Sequence, residues 1–246
     1  MKVMIGSDPE YFLYDPKLGT HVPAELALMS ENGEVNRPFY DGFQAEVTTV
    51  PVDDMDQVKA HLQEAVKAVC EIREYGLEPV AQPTVKVRPD ILASAPPSVF
   101  AFGCSPSLNA YTEEVRNSEV IHRLHEKSRD IMMAGGHIHL GMPKGELKME
   151  PSKKGLPFAA VFTTQYPSII RMFETVGVTL LTPVECSNGE KSLYSKRREF
   201  YGLSGEYRQT KYGIEMSSPS CAWMMSPELA EMIYPTAAVA NLPAST

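Results

Sequence analysis

Ala134-Gly135-Gly136-His137-Ile138-His139-Leu140-Gly141 reads as a short strand framed by glycines. Successive strand side chains alternate between faces, so His137 and His139, two apart, share one face. The flanking glycines permit a ligand or a neighbouring strand to approach the backbone closely. A single histidine is more often structural than a ligand. A His-x-His pair on a glycine-framed strand points more firmly to chemistry, and it also fits a zinc hydrolase.

The same spacing recurs near the start of the sequence. Residues 2–14, KVMIGSDPEYFLY, read as a strand interrupted by a Gly-Ser-Asp-Pro turn. Asp8 and Glu10 then present two carboxylates on one face. Pro9 removes a ladder donor between them, which suits an edge or a bulge. Two like charges side by side favour a cation, and Mg²⁺ prefers oxygen ligands. The plainer alternative is an exposed polar strand face.

Outward from these strands the pattern is mixed. Residues 39–51 (FYDGFQAEVTTVP) predict a turn at Asp41-Gly42 and a strand carrying Glu46. Residues 53–75 form the clearest helix, with Val58, Leu62, Ala65, Val66, Val69 and Ile72 at helical spacing and Gly76 as its stop. Residues 79–88 alternate as a strand does, and 92–111 read as a loop. A helix is expected around 168–178, paired strands over 205–223 and a last helix over 226–240; 241–246 read as a frayed tail. Within the paired strands Glu206 and Arg208 alternate, and Glu215 follows. Arg197 and Arg198 precede them. Arginine forks suit polyphosphate, although a salt-bridged sheet surface is the commoner origin of such a pattern.

The 246 residues are 43% hydrophobic and 22% charged, with 20 prolines and 16 glycines. That fits one medium mixed domain, or two small lobes sharing a core, with many turns; one domain, 1–246, is the preferred count. A net charge of −8 argues against sequence-independent nucleic-acid binding, which rests on phosphate neutralisation. Cys70, Cys104, Cys186 and Cys221 form no CxxC pair, so reduced thiols are expected rather than a disulfide scaffold or structural zinc. No signal peptide or membrane-length apolar run is read, and the expectation is a cytoplasmic protein.

Taken in order, Gly6–Glu10 (GSDPE), Asp41–Glu46 (DGFQAE), Phe102–Tyr111 (FGCSPSLNAY), Ala134–Gly141, Arg198–Arg208 (REFYGLSGEYR) and Tyr212–Glu215 (YGIE) resemble the phage-type carboxylate–amine ligases of the glutamine synthetase/glutamate–cysteine ligase superfamily. The resemblance runs from residue 3 to about residue 223. It implies an α+β catalytic domain of the glutamine synthetase/guanido kinase type, an antiparallel sheet funnel with helices on its outer face. It further implies an ATP-dependent enzyme with Mg²⁺ or Mn²⁺, two or more ions, working in the cytoplasm of a phage's host. Its substrates would be a small-molecule or peptide carboxylate and an amine; a homo-oligomer is compatible with this, nucleic-acid and membrane partners are not.

By that resemblance Glu10 and Glu46 are ligands of one ion, and Asp8, His137 and Glu215 of another. His139, Arg197, Arg198 and Arg208 contact nucleotide or phosphate, with Arg198 and Arg208 also stabilising the transferring group. Glu206 faces the acceptor amine or supports the metal shell. One departure stands out. Relatives commonly carry Glu-x-Arg where this chain has Glu215-Met216-Ser217, leaving Arg197, Lys196 or Lys211 as replacements. Beside Pro106 the chain also lacks the acidic residue usual in relatives. Three other functions stay open: a weakened or inactive superfamily member acting as a structural or binding protein, a metal-dependent hydrolase on His137 and His139, and a guanidino kinase.

Overall fold

The computed structural model describes residues 3–28, 35, 37–100, 107–116, 130–142, 158–179, 181–183, 197–198 and 200–240. Strand β1 is Met4–Asp15, followed by β2 (Thr20–Val22), β3 (Pro38–Asp41) and β4 (Gln44–Val47). Helix α1 (Met55–Cys70) leads to β5 (Glu78–Val80), β6 (Thr84–Lys86), the short α2 (Pro89–Ser94), β7 (Ser107–Asn109) and β8 (Val115–Arg116). Then come β9 (Ile131–Met133), β10 (Gly136–Gly141), α3 (Phe158–Phe173), β11 (Glu206–Gln209), β12 (Gly213–Met216) and α4 (Pro227–Ala240). The class is α+β.

One antiparallel sheet organises these elements in the order β3-β4-β1-β10-β12-β11-β7-β8, with β2 and β5 also paired to β1. A small sheet joins β6 to β9. The central strand β1 is continuous over 12 residues, so Gly6–Pro9 is not a turn. The hydrogen bonds explain why Pro9 is tolerated there. Glu10 sends its N–H to Gly135 on the β10 side, whereas Ile5 and Ser7 send theirs to Val52 and Thr49 on the other. Alternation aims the donor that Pro9 lacks at that second side, where residues 49–52 supply isolated bonds rather than a full ladder.

The two faces of the sheet differ sharply. Ile5, Ile138, Leu140, Tyr207, Ile214 and Met216 point to one side. There they pack with Val58 and Leu62 of α1, Tyr166, Ile169, Ile170 and Phe173 of α3, and Ala230, Ile233 and Tyr234 of α4. Burying such apolar side chains stabilises by about 1.5–3 kcal/mol each before entropy is counted, so this face fixes the strand register. Slipping β10 by one residue would turn His137 and His139 into that core.

Most expected elements are present. Asp54 caps α1, accepting from the N–H groups of Asp56 and Gln57 at 3.0 Å each, and Gly76 closes the following 3₁₀ turn with φ +78°. Val66, expected inside, is 38% exposed; the stripe that α1 buries is the narrower one of Val58, Leu62, Ala65 and Val69. The single strand expected over 79–88 is two short ones, β5 and β6, in different sheets; Gln82-Pro83 separates them. The loop expected over 92–111 contains the end of α2, a 3₁₀ turn (Pro97–Phe100) and β7. Residues 101–106, Lys196, Cys104, Cys186 and the 241–246 tail lie outside the described residues. Neither Cys70 nor Cys221 is in a disulfide.

Candidate functional site

The polar face of the sheet is where the sequence motifs meet. Cross-strand register sets Asp8 opposite His137, Gly6 opposite His139, and Glu10 opposite Glu46. On the next strands His139 faces Glu215, and Glu215 faces Arg208. Five strands, β1, β4, β10, β11 and β12, therefore deliver one cluster, from residues as far apart in sequence as 8 and 215.

His137 stands at its centre. Its Nδ1 is 3.2 Å from Asp8 Oδ1 and 3.8 Å from Glu215 Oε1, and its Nε2 is 4.0 Å from Glu10 Oε1 and bonded to the Tyr201 hydroxyl. His139 places Nε2 2.8 Å from Asp8 Oδ1 and Nδ1 2.7 Å from the Tyr212 hydroxyl. Arg208 holds Glu215 Oε1 at 2.9 Å. Glu10 is oriented by the Gly135 N–H, which donates to Oε2 at 2.6 Å.

Glycines make these approaches possible. A methyl group at Gly135 would collide with the His137 imidazole, and one at Gly136 with the Trp223 indole and the Ser220 carbonyl. Trp223 then sends its Nε1–H to the Gly136 carbonyl at 3.0 Å, bracing β10 from behind.

The acidic end of the cluster gains a member that the sequence reading missed. Glu10, Asp41 and Glu46 bring carboxylate oxygens within 4.8 Å of one another, with Glu10 buried, Glu46 half-buried and Asp41 exposed at the rim. The β3–β4 hairpin explains it. Gly42 at φ +58° turns the chain in two residues, so Asp41 pairs with Gln44 and lies on the same face as Glu46. The signal was the Asp-Gly turn itself, read for its shape and not for the carboxylate it carries. Tyr201 and Tyr212 were missed too, although each precedes a glycine in motifs quoted above.

Electrostatics follow from this crowding. Burial opposes charge on His137, but Asp8, Glu215 and Glu10 outweigh it and hold the imidazole up at about 10. His139 is raised against the same burial by Asp8 and Glu215. Burial also disfavours ionised Asp8, yet the two histidines keep it well below the usual carboxylate range. At the acidic end burial pushes Glu46 up to about 9, with Asp8 and Glu10 adding to it. Burial likewise raises Glu10 and Asp41.

The chain matches no known protein-family model and no curated protein.

The residue types suit divalent ions. Three carboxylates within 4.8 Å form a hard oxygen set of the kind Mg²⁺ and Mn²⁺ take. Asp8 Oδ1 and His139 Nε2 are buried and 2.8 Å apart, and His139 Nε2 has no partner other than that carboxylate. With Nδ1 engaged by Tyr212, such an Nε2 has the arrangement of a ligating histidine whose other nitrogen is anchored.

Other expected site residues stand elsewhere. Arg197 is fully buried and donates to the carbonyls of Ala134, Ser218 and Pro219 at 3.1, 3.1 and 2.9 Å. This corrects its expected phosphate contact: the guanidinium ties β10 to the segment after β12. Arg198 donates to the Gly202 carbonyl at 2.7 Å and lines a separate cavity. Glu206 is buried and bound by Ser107, Arg116 and the Leu203 N–H at 2.9, 3.2 and 2.8 Å. Lys211 is exposed in the β11–β12 turn, and Ser217 is buried with its hydroxyl 3.4 Å from Glu215 Oε1.

Proposed function

We propose that this protein is an ATP-dependent carboxylate–amine ligase of the glutamine synthetase/glutamate–cysteine ligase type, forming an amide through an acyl-phosphate. The observation that carries the reading is the convergence of Asp8, Glu10, Glu46, His137, Glu215 and Arg208 on one face of an antiparallel sheet whose other face is covered by helices. Glu10, Asp41 and Glu46 would hold one divalent ion, and Asp8, His137 and Glu215 a second, with His139 Nε2 beside Asp8 as a further ligand. Bound ions supply charge neutralisation for the nucleotide phosphates.

The chain's own residues then divide the remaining work. Arg208, anchored on Glu215, would present cationic charge where negative charge develops on a transferring γ-phosphoryl group. Tyr201 and Tyr212 fix the two imidazoles. Ligation of this kind needs positioned charge and no protein nucleophile. Glu206 is the carboxylate assigned to receive the amine proton; its bonds to Ser107 and Arg116 mean that it must exchange a partner to do so.

The test is ADP release by the whole chain with Mg²⁺ or Mn²⁺ across pairs of carboxylates and amines. Release that requires both partners, and that disappears in Glu10→Ala and Glu215→Ala, is the expected result. Turnover retained in both variants would end the assignment. One observation favours a second reading, a member that binds nucleotide without turning it over. Ser217 stands where relatives carry arginine, and Arg208 is already paired to Glu215. Tight metal–ATP binding with no release under any pair would select that reading.

A further inference from the structure

A second cavity of about 580 Å³ shares no residue with the carboxylate–histidine cluster. Its size falls in the range of small-molecule pockets, about 300–1,000 Å³. One wall is the π-helical turn Glu174–Val178 that continues α3; such widened turns concentrate at functional sites. Leu203 and Ser204 also line the cavity, and the Leu203 N–H reaches Glu206.

Glu174 is the unusual group in this wall. It is 4% exposed, Ser204 donates to its Oε2 at 2.7 Å, and its Oε1 has no hydrogen-bond partner. Buried polar atoms are almost always satisfied, so an orphaned carboxylate oxygen calls for a donor. The serine and threonine hydroxyls around it cannot be that donor. Thr175 gives its proton to the Arg171 carbonyl at 2.8 Å, Thr179 to the Glu174 carbonyl at 3.2 Å, and Thr182 to the Val178 carbonyl at 3.1 Å. With the Ser204 proton also committed, these four groups turn only lone pairs to the cavity. Four acceptors around a buried carboxylate suit a donor-rich cation, even beside the one guanidinium on the wall, Arg198. Val178, Leu203 and the threonine methyls leave apolar surface for an alkyl chain. The charge of Arg198 on the same wall disfavours a second ammonium, so the fitting ligand carries one.

We propose that this cavity is a binding site for an alkylammonium group, with Glu174 as its counter-ion. The site is independent of the ligase reading; where that reading holds, it offers an amine-bearing compound a place apart from the metal cluster.

The test is calorimetry on the full chain, in chelator and without nucleotide, with butylammonium and with butanol as its neutral counterpart. Expected is saturable binding of one butylammonium, with butanol at least about tenfold weaker, as loss of a charge-assisted hydrogen bond implies. Glu174→Gln should weaken butylammonium by about tenfold or more, and Glu46→Gln should leave it unchanged. Thr179→Phe, at an exposed position on the rim, should block the cavity and decides the matter should Glu174→Gln not fold. Butylammonium that fails to bind, that binds no better than butanol, or that responds to Glu46→Gln and not to Glu174→Gln or Thr179→Phe overturns the proposal. ADP release is a separate readout, so failure of the ligase reading leaves this result distinguishable.

Discussion

Replacing Glu46 by glutamine should change two properties in opposite directions. Without metal, the folded chain keeps the Glu46 proton up to about pH 9, whereas an ordinary glutamate, and so the unfolded chain, releases it near 4.5. Between those values the folded state binds more protons, so stability falls as pH rises. One extra bound proton is worth about 1.4 kcal/mol per pH unit, so moving from about pH 5 to about pH 8 costs at most about 4 kcal/mol through this group. Glutamine carries no such proton, and the variant should escape that part of the loss. Coulomb repulsion gives the same scale: two ionised carboxylates 4.8 Å apart repel by about 3.5 kcal/mol at an effective dielectric of 20. Metal should reverse the ranking. Mn²⁺ would stabilise the native chain at pH 8 and do much less for the variant, which lacks an anionic ligand. Urea unfolding in chelator at the two pH values, then with added Mn²⁺, measures both. A variant that is less stable than the native chain in chelator at pH 8 would refute the reasoning. So would equal stabilisation of both proteins by Mn²⁺.

Two further outcomes are expected. Arg197→Met leaves the carbonyls of Ala134, Ser218 and Pro219 without their buried donor, and urea melts should show a loss of about 3–5 kcal/mol with metal affinity following only through misplaced β10. Tyr212→Phe removes the hydroxyl that fixes His139 Nδ1, and Mn²⁺ titration should show affinity lower by about 10–100-fold with little change in unfolding midpoint.

Period-two spacing made much of the site legible. Asp8 with Glu10 and His137 with His139 could be assigned to shared faces because strand alternation needs no tertiary information. The facing of Glu10 and Glu46, or of His139 and Glu215, depends on which strands are neighbours, and no local pattern carries that. Pro9 shows the limit on the fold side. A Gly-Ser-Asp-Pro run is a turn by local chemistry, but here the missing N–H faces a sparsely bonded side and the strand runs through. Arg197 and Arg198 show the limit on the site side. Adjacent arginines look alike in sequence, yet one is enclosed by three carbonyls and the other lines a cavity with Glu174. Asp41 was passed over because its turn explained it well enough.

The charge of the cluster leads to a stepwise prediction about how it fills. Among the described residues, Asp8, Glu10, Asp41, Glu46 and Glu215 are set against one guanidinium, Arg208, and two imidazoles. Without metal both imidazoles are raised and Glu46 keeps its proton. A first divalent ion at the acidic end requires Glu46 ionised, and with both imidazoles still charged the cluster is then neutral. A second divalent ion keeps it neutral only when both imidazoles become uncharged, which is also the form that ligates. Filling near neutral pH should therefore release about one proton with the first ion, from Glu46, and at least about one with the second, from His137. The second affinity should climb with pH up to the range near 10 where His137 titrates. Calorimetry in buffers of different ionisation enthalpy counts those protons directly. Two ions bound with no proton released, or a second site indifferent to pH, would mean that the imidazoles are structural partners of Asp8 and that only the carboxylate end takes metal.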